Sequence, residues 1–366
     1  MLSDEFTILA INPGSSSTKI AVYAGERAVL VKNLRHSDVE MEKFRGRPIL
    51  EQQEFRSAQI KSALAEARIE LRTLNAVVGR GGLLPPLASG TYEVNRAMLE
   101  ALRRARRGEH ASNLGAFLAN AIAEKAGVIA YVVDPVSVDE WTEVARLSGS
   151  AQLPRQALSH ALNSKAVAKR FAREKGKAYE SLRLIVAHLG SGISVSAHEG
   201  GRMVDVTNSR EEGAFSTERA GGVPVMQLVE LCFSGKYTRS QVEDVLFREG
   251  GLYSYLRTKD LGEVERRITS GDEKAALVFA AMAYQIAKEI GAMAAVLRCR
   301  VDTILLTGGM AHSERLVSEL SNYVKWIAPV TVYPGEDELQ ALAEGAFRVL
   351  RGEEKAREFT APAVRS

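Results

Sequence analysis

The chain says one thing twice, and that repetition constrains its fold more than any other feature. Residues 8–33 run ILAINPGSSSTKIAVYAGERAVLVKN: an apolar run, a Gly/Ser turn, a second apolar run, a glycine turn and a third strand-like run. Residues 184–208, LIVAHLGSGISVSAHEGGRMVDVTN, repeat that order. Laid together, Asn12 falls on His188, Gly14 on Gly190, and Gly25 on Gly200 or Gly201. Short apolar runs bounded by glycines read as buried strands, so each copy predicts a three-stranded meander. A Gly/Ser turn with a lysine suggests phosphate, yet the P-loop spacing GxxxxGK[ST] occurs nowhere in the chain.

A second pair of echoes follows. LNAVVGRGGLL (74–84) and VDTILLTGGMAHS (301–313) are each a short buried strand running into a Gly-Gly turn. Helical periodicity predicts helices over 54–69, 95–107, 112–126, 157–175, 222–235, 239–247, 272–298, 312–325 and 337–351. Strands alternating with helices imply an α/β architecture. The chain therefore reads as two related halves, the second carrying more helix between its echoes. At 366 residues there is length for two domains with well-buried cores. Two such domains facing each other would make a cleft, with glycine turns from both pointing in. Glycines let backbone N–H groups approach a phosphate because no Cβ blocks the way, so a nucleotide is expected there.

Bulk properties exclude several classes. A net charge of +3 is too small to make nucleic acid the main partner. The strand-like run at Phe6–Ile11 leaves no room before it for a secretory signal. The most membrane-like run, VFAAMAYQIA, meets Lys288 and Glu289, so no membrane span is expected. Cys232 and Cys299 form no CxxC pair, which suits a reducing cytoplasm. The basic run LRRARRGEH (102–110) reads as a solvated helix end, with anion binding as the alternative.

Chemistry-bearing residues sit beside the glycine turns. In the first turn Asn12, Gly14, Ser15, Ser17 and Lys19 offer amide and hydroxyl groups plus one cation, although a plain hairpin loop uses the same residue types. Arg80 lies among three glycines at a strand end, where a guanidinium points at an anion or forms a structural salt bridge. Asp134 ends an apolar strand, His160 stands near a helix start, His188 follows a strand and Arg219 precedes paired glycines. None of the six histidines has metal spacing such as HExxH.

Together these segments resemble the butyrate kinases, which belong with the acetate kinases among the acyl kinases. The resemblance rests on INPGSSSTK, VGRGG, DPVxVDEW, HALNxKA, AHLGSGISVSAH, ERAG, LTGGMAHS and YPGEDELQALAEGA, and runs from Thr7 to about Phe359. It implies two duplicated actin-like ATPase (ribonuclease H-like) domains with a nucleotide cleft between them. The expected domains are 1–152 plus about 340–366, and 153–339, the latter binding the nucleotide. It implies ATP/ADP and Mg²⁺ as cofactors, a short-chain carboxylate as acceptor, and a homodimer or larger homo-oligomer. By that similarity Arg80 binds the carboxylate, Arg219 steadies the transferring phosphoryl, His160 donates to it at the transition state, and His188 lies close to the phosphates. Asn12, Asp134 and Glu338 match positions around Mg²⁺. Asn12, Gly14, Ser15, Ser17 and Lys19 match the first phosphate turn and Gly190 and Gly192 the second. Gly308, Gly309 and Met310 match the nucleotide loop, and Asp260 the adenosine side.

Two positions bear on the acyl group. Gly82 stands where acetate kinases have a pocket-closing valine, which favours butyrate over acetate. Ser159 replaces a phenylalanine usual before the histidine of HALN, so isobutyrate or another short acid stays open, as do propionate and acetate. Arg257, in YLRTKD, adds a cation near the expected nucleotide side. A rival of another class is a non-catalytic, nucleotide-dependent binding protein of the actin or Hsp70 kind, which lacks the Arg80, His160 and Arg219 set. A sugar kinase would need a base for its hydroxyl acceptor and would leave two arginines idle.

Overall fold

In the computed structural model, which describes residues 6–361, both predicted meanders form. Thr7–Pro13 (β1), Ser17–Ala24 (β2) and Arg27–Arg35 (β3) are antiparallel neighbours. They are followed by Ala76–Arg80 (β4), Thr91–Glu93 (β5) and Ile129–Val133 (β6). The second meander is Leu184–Leu189 (β7), Ile193–Glu199 (β8) and Arg202–Val206 (β9), followed by Thr303–Gly308 (β10) and Val330–Pro334 (β11). A short strand, Arg357–Glu358 (β12), closes the described chain.

The strands form two sheets, ordered β12-β5-β6-β4-β1-β2-β3 and β11-β10-β7-β8-β9. Both contain the same core: a meander whose first strand pairs in parallel with a later strand, β1 with β4 and β7 with β10. The correspondence reaches single residues. The bulge between Val22 and Tyr23 is matched by one between Ala197 and His198, because Ile8 pairs with Tyr23 as Leu184 pairs with His198.

The chain divides into two compact units, Met1–Asp139 with Asp337–Ser366, and Glu140–Glu336. Residues 1–5 and 362–366, the ends of the first expected domain, lie outside the described residues. In the first unit the helices Gln53–Glu66 and Leu114–Ala126 cover the sheet, joining Leu9, Ile11, Ile20, Val22 and Val77 in one core. The second helix lies almost on β4: a Cβ at Gly79 would overlap the Gly115 carbonyl, and one at Gly115 would overlap that of Arg80.

In the second unit the core gathers β7, β8 and β10 around the helix Glu273–Val296. That helix is long and apolar enough to cross a membrane by length and composition, a point the sequence reading missed because it stopped at Lys288 and Glu289. Its Val278, Phe279, Met282, Ile286 and Ile290 are buried in the unit's own core, as expected of a core helix. The helices Asp38–Glu42, Glu143–Arg146, Gly251–Leu256 and Leu261–Thr269 were not foreseen; the first three are too short to show a period. Cys232 and Cys299 are exposed free thiols.

Candidate active site

The first set of residues is a row across one sheet. Asn12 pairs with Lys19 across β1 and β2. Ile11 pairs with Gly79, which places Asn12 beside Arg80 at the carboxyl ends of the parallel strands β1 and β4. Ligands of open α/β sheets bind at such strand ends. Arg80 donates from Nη1 to Asn12 Oδ1 at 3.3 Å and to Glu338 Oε2 at 3.0 Å, and the Asn12 amide also donates to Glu338 Oε2. Of the two roles left open for Arg80, the structure displays the ion pair, with the arginine side chain still about one-fifth exposed. Glu338 is the first residue of the helix Glu338–Leu350. Lys19 is exposed on β2, as are Ser15 and Ser16 at the tip of the turn, which Gly14 closes by donating to the Ser17 carbonyl at 2.8 Å.

Asp134 follows β6 with φ +38° and is buried; its Oδ1 accepts from Ser89 Oγ at 2.6 Å and the Gly90 amide at 2.8 Å. The oxygens of Asn12, Asp134 and Glu338 are the hard donors a divalent cation prefers. Among the described residues no group of three or more His, Cys, Asp or Glu is clustered for a metal.

Gly82 requires a correction. The sequence reading took the missing side chain as pocket space, but a Cβ there would lie 2.6 Å from Asn113 Cα and 2.9 Å from its amide nitrogen. Asn113 Oδ1 also accepts from the Leu83 amide at 2.9 Å. Glycine at 82 lets residue 113 come close; it opens no void on that side.

The second unit repeats the row with other chemistry. His188 pairs with Ser194 on β8 and with Thr307 on β10, the positions matching Lys19 and Arg80. His160 immediately precedes the helix Ala161–Glu174, and its Nδ1 lies 3.0 Å from Ser194 Oγ. Its ring stacks on that of His188, centroids 3.8 Å apart and planes 12° from parallel. His188 is buried, with Nδ1 2.8 Å from Asn163 Oδ1 and Nε2 3.0 Å from Glu336 Oε1. A Cβ at Gly190 would crowd both His188 Nε2 and Glu336 Oε1.

Arg219 lies over the second glycine turn: a Cβ at Gly192 would sit 2.9 Å from its Cζ. Nη1 donates to the Ser209 carbonyl at 3.1 Å. Its backbone amide donates at 3.1 Å to Ser216 Oγ, which itself holds the Ser191 carbonyl. Among the described residues no carboxylate is within ion-pair distance of this guanidinium. Burial pulls its pKa below the usual arginine value, with Glu218 acting the other way.

Gly308 has φ +91°, and a Cβ there would strike the Leu189 backbone; Gly309 is exposed, while the Met310 side chain lies in the core. Asp260 is the N-cap of Leu261–Thr269, accepting from the Gly262 amide at 2.8 Å and the Glu263 amide at 3.3 Å. Arg257 caps the helix Gly251–Leu256 with φ +60°. Ser159 is buried, and among the described residues its Oγ has no hydrogen-bond partner. Sequence reasoning passed over Asn163, Ser194, Glu336 and Arg56. Asn163 follows His160 by three residues at a helix start, the spacing that brings both onto one face.

The fold is that of solved acyl kinases. The acetate kinase of Porphyromonas gingivalis superposes with TM-score 0.75 at 19% identity, covering 94% of this chain and 100% of its own. The acetate kinase of Entamoeba histolytica gives 0.75 at 16% identity, covering 93% and 99%. The propionate kinase of Francisella tularensis gives 0.71 at 17%, covering 93% and 98%. These likenesses define the class, a two-unit α/β protein of the actin-like ATPase fold. Residues 154–328 match the acetokinase family. Butyrate kinase 1 of Clostridium acetobutylicum is 53% identical over 355 residues, covering 97% of this chain and 99% of that protein. Butyrate kinase 2 of the same organism is 49% identical with the same coverage. The chain belongs to the butyrate kinases of the acetokinase family.

Proposed function

We propose that this enzyme catalyses the reversible transfer of the ATP γ-phosphoryl group to butyrate, giving butyryl phosphate and ADP. The observation that carries this reading is the near-full-length identity of 53% with a butyrate kinase. The residues suit the chemistry. A carboxylate nucleophile is already ionised at neutral pH, so no general base is needed. The obstacle is repulsion: two like unit charges ~4 Å apart cost about 4 kcal/mol at an effective dielectric of ~20. Cations and fixed donors must offset this while holding the in-line geometry.

In this reading Arg80 receives the substrate carboxylate. Arg219, with no carboxylate within ion-pair distance among the described residues, steadies the transferring phosphoryl. His160 donates to that group as charge develops, its ring oriented by Ser194 and by the stack on His188, which neighbours the phosphates. The first turn and Lys19 meet the phosphoryl group, while Gly190, Gly192 and the loop Gly308–Met310 belong to the nucleotide. Asp260 is assigned to the adenosine side. Asn12, Asp134 and Glu338 would hold Mg²⁺, which supplies charge neutralisation to the phosphates. The unit Met1–Asp139 with Asp337–Ser366 is thus the acyl-substrate side and Glu140–Glu336 the nucleotide side.

With Gly82 filled by Asn113, the acyl preference rests on other residues, among them buried Ser159. An acyl-hydroxamate assay with ATP, Mg²⁺ and C2–C6 straight and branched acids tests the reading. The expected result is product with butyrate; none with any acid would end it.

The apolar helix Val225–Phe233 buries none of its residues, and Val225, Met226 and Phe233 are each more than two-thirds exposed. That surface supports a homo-oligomer, measurable by light scattering; a monomer at working concentrations would contradict it. A cytoplasmic location agrees with the two free thiols.

A further inference from the structure

Behind the first turn lies a buried cation that the reaction scheme above leaves unused. Arg56 is on the helix Gln53–Glu66 and has no exposed surface. Its Nη1 donates to the carbonyls of Gly14 at 2.8 Å and Ser17 at 3.0 Å, and to Thr18 Oγ1 at 3.0 Å. Its Nη2 donates to the Ser15 carbonyl at 3.0 Å and to Gln52 Oε1 at 2.8 Å, and Nε donates to the same Gln52 oxygen at 3.0 Å. Every partner is neutral. Among the described residues no Asp or Glu lies within ion-pair distance of it.

A buried charge is normally paired, because isolating it costs several kcal/mol. Here the guanidinium is solvated by the turn itself. That fixes the turn's dipoles. In a trans peptide the N–H points opposite to the C=O, and no cis bond occurs among the described residues. With the Gly14 and Ser15 carbonyls held on Arg56, the amides of Ser15 and Ser16 face the other way. Ser15 and Ser16 are exposed, and among the described residues neither amide donates to protein. Consecutive outward N–H groups make an anion-binding concavity.

Burial takes Arg56 down to about 10, so it keeps its charge at neutral pH. The charge is felt nearby: His36, 2.9 Å from Thr18 Oγ1, has its pKa lowered first by burial and then by Arg56.

We infer that Arg56 is a positioning residue for phosphoryl transfer: it turns the Gly14, Ser15 and Ser17 carbonyls inward, presents the Ser15 and Ser16 amides to a phosphoryl oxyanion, and backs them with an uncompensated positive charge. This rests on the kinase reading for what the anion is, but the cradle itself is measurable apart from it.

The sharpest test is Gln52→Glu. The substitution keeps the shape of the side chain and strengthens its bond to Arg56, while placing a negative charge against the guanidinium. The expected protein is folded with an unchanged or higher melting midpoint. It binds inorganic phosphate on the order of 10-fold more weakly by titration, and its kcat falls by a similar factor with KM for butyrate within about twofold. Arg56→Lys, folded by circular dichroism, keeps the charge but cannot reach three carbonyls at once, and is expected to lose phosphate affinity as well.

A merely structural Arg56 predicts wild-type phosphate affinity and kcat in Gln52→Glu. That result, or a wild-type chain that binds no phosphate, overturns the inference. A wild-type chain that binds phosphate through Arg56 but phosphorylates no acid would instead overturn the butyrate reading alone.

Discussion

The two units place residues at matching positions and fill them differently. Across the strand ends the first unit has Lys19, Asn12 and Arg80, and the second has Ser194, His188 and Thr307. Each glycine turn is held by a hydrogen-bonding group. In the first, a buried guanidinium lies behind the turn and grips its carbonyls. In the second, the Ser216 hydroxyl grips the Ser191 carbonyl, and the guanidinium of Arg219 lies over Gly192 instead. A duplicated skeleton supplies geometry for free; the chemistry is then distributed by which side chains occupy equivalent positions. The first row carries two cations, Lys19 and Arg80, and beside the second stand stacked imidazoles and the buried Arg219.

The largest expected effects separate the two arginines. Arg219→Ala should lower kcat by on the order of 10²–10³, the scale of one transition-state donor, with a small change in KM. Arg80→Ala should raise KM for butyrate by on the order of 10–100-fold, with less change in kcat. Steady-state kinetics of both variants decide this; wild-type kinetics in both would show that the matched rows are not where the reaction occurs.

Gly82→Val sharpens the contrast between turn and pocket. The added side chain meets the Asn113 backbone, so it should destabilise the fold by about 1–3 kcal/mol in urea titrations and leave the order of acid preference unchanged. A fully stable variant that now favours acetate would restore the pocket-closing role. Gly192→Ala is milder, since its Cβ meets the end of a flexible side chain. It should displace Arg219 and reproduce part of the Arg219→Ala loss in kcat at nearly normal melting temperature.

The smallest effects concern pH and fall on the matched bulges. His198 is fully buried between Tyr179 and Ser196, and burial, then Lys165, lowers it to about 3. Its unfolded form takes up a proton below about pH 6.5, so stability is lost as pH falls from there toward 3. At pH 5 the loss should approach ~2 kcal/mol, and His198→Asn should flatten it. Tyr23, the matching residue, is pushed up to about 12 by burial, then Asp337 and Glu344. Its contribution is present below about pH 10 and lost as pH rises toward 12; Tyr23→Phe should remove that slope. Urea midpoints across pH check both.

Much of this is legible in the sequence. The nine foreseen helices form, because each carries enough turns to show its period, and the echoes became β1–β4 and β7–β10 because strand alternation and glycine turns are local signals. Arg56 was missed, although it stands on the stripe Arg56, Ile60, Ala63, Leu64, where a charge on a buried face was the available clue. Gly82 was misread because a missing side chain has two explanations, and only the position of Asn113 chooses between them.

The sequence by itself determined the duplication, the strand order within each repeat and the residue types at the turns, since these depend on neighbours along the chain. The tertiary structure alone decided that Arg80 meets Glu338 across 258 residues of chain, that His160 stacks on His188, and that Arg56 lies behind the first glycine turn. Those are contacts between segments distant in sequence. Nothing local specifies them, because they depend on how whole elements pack.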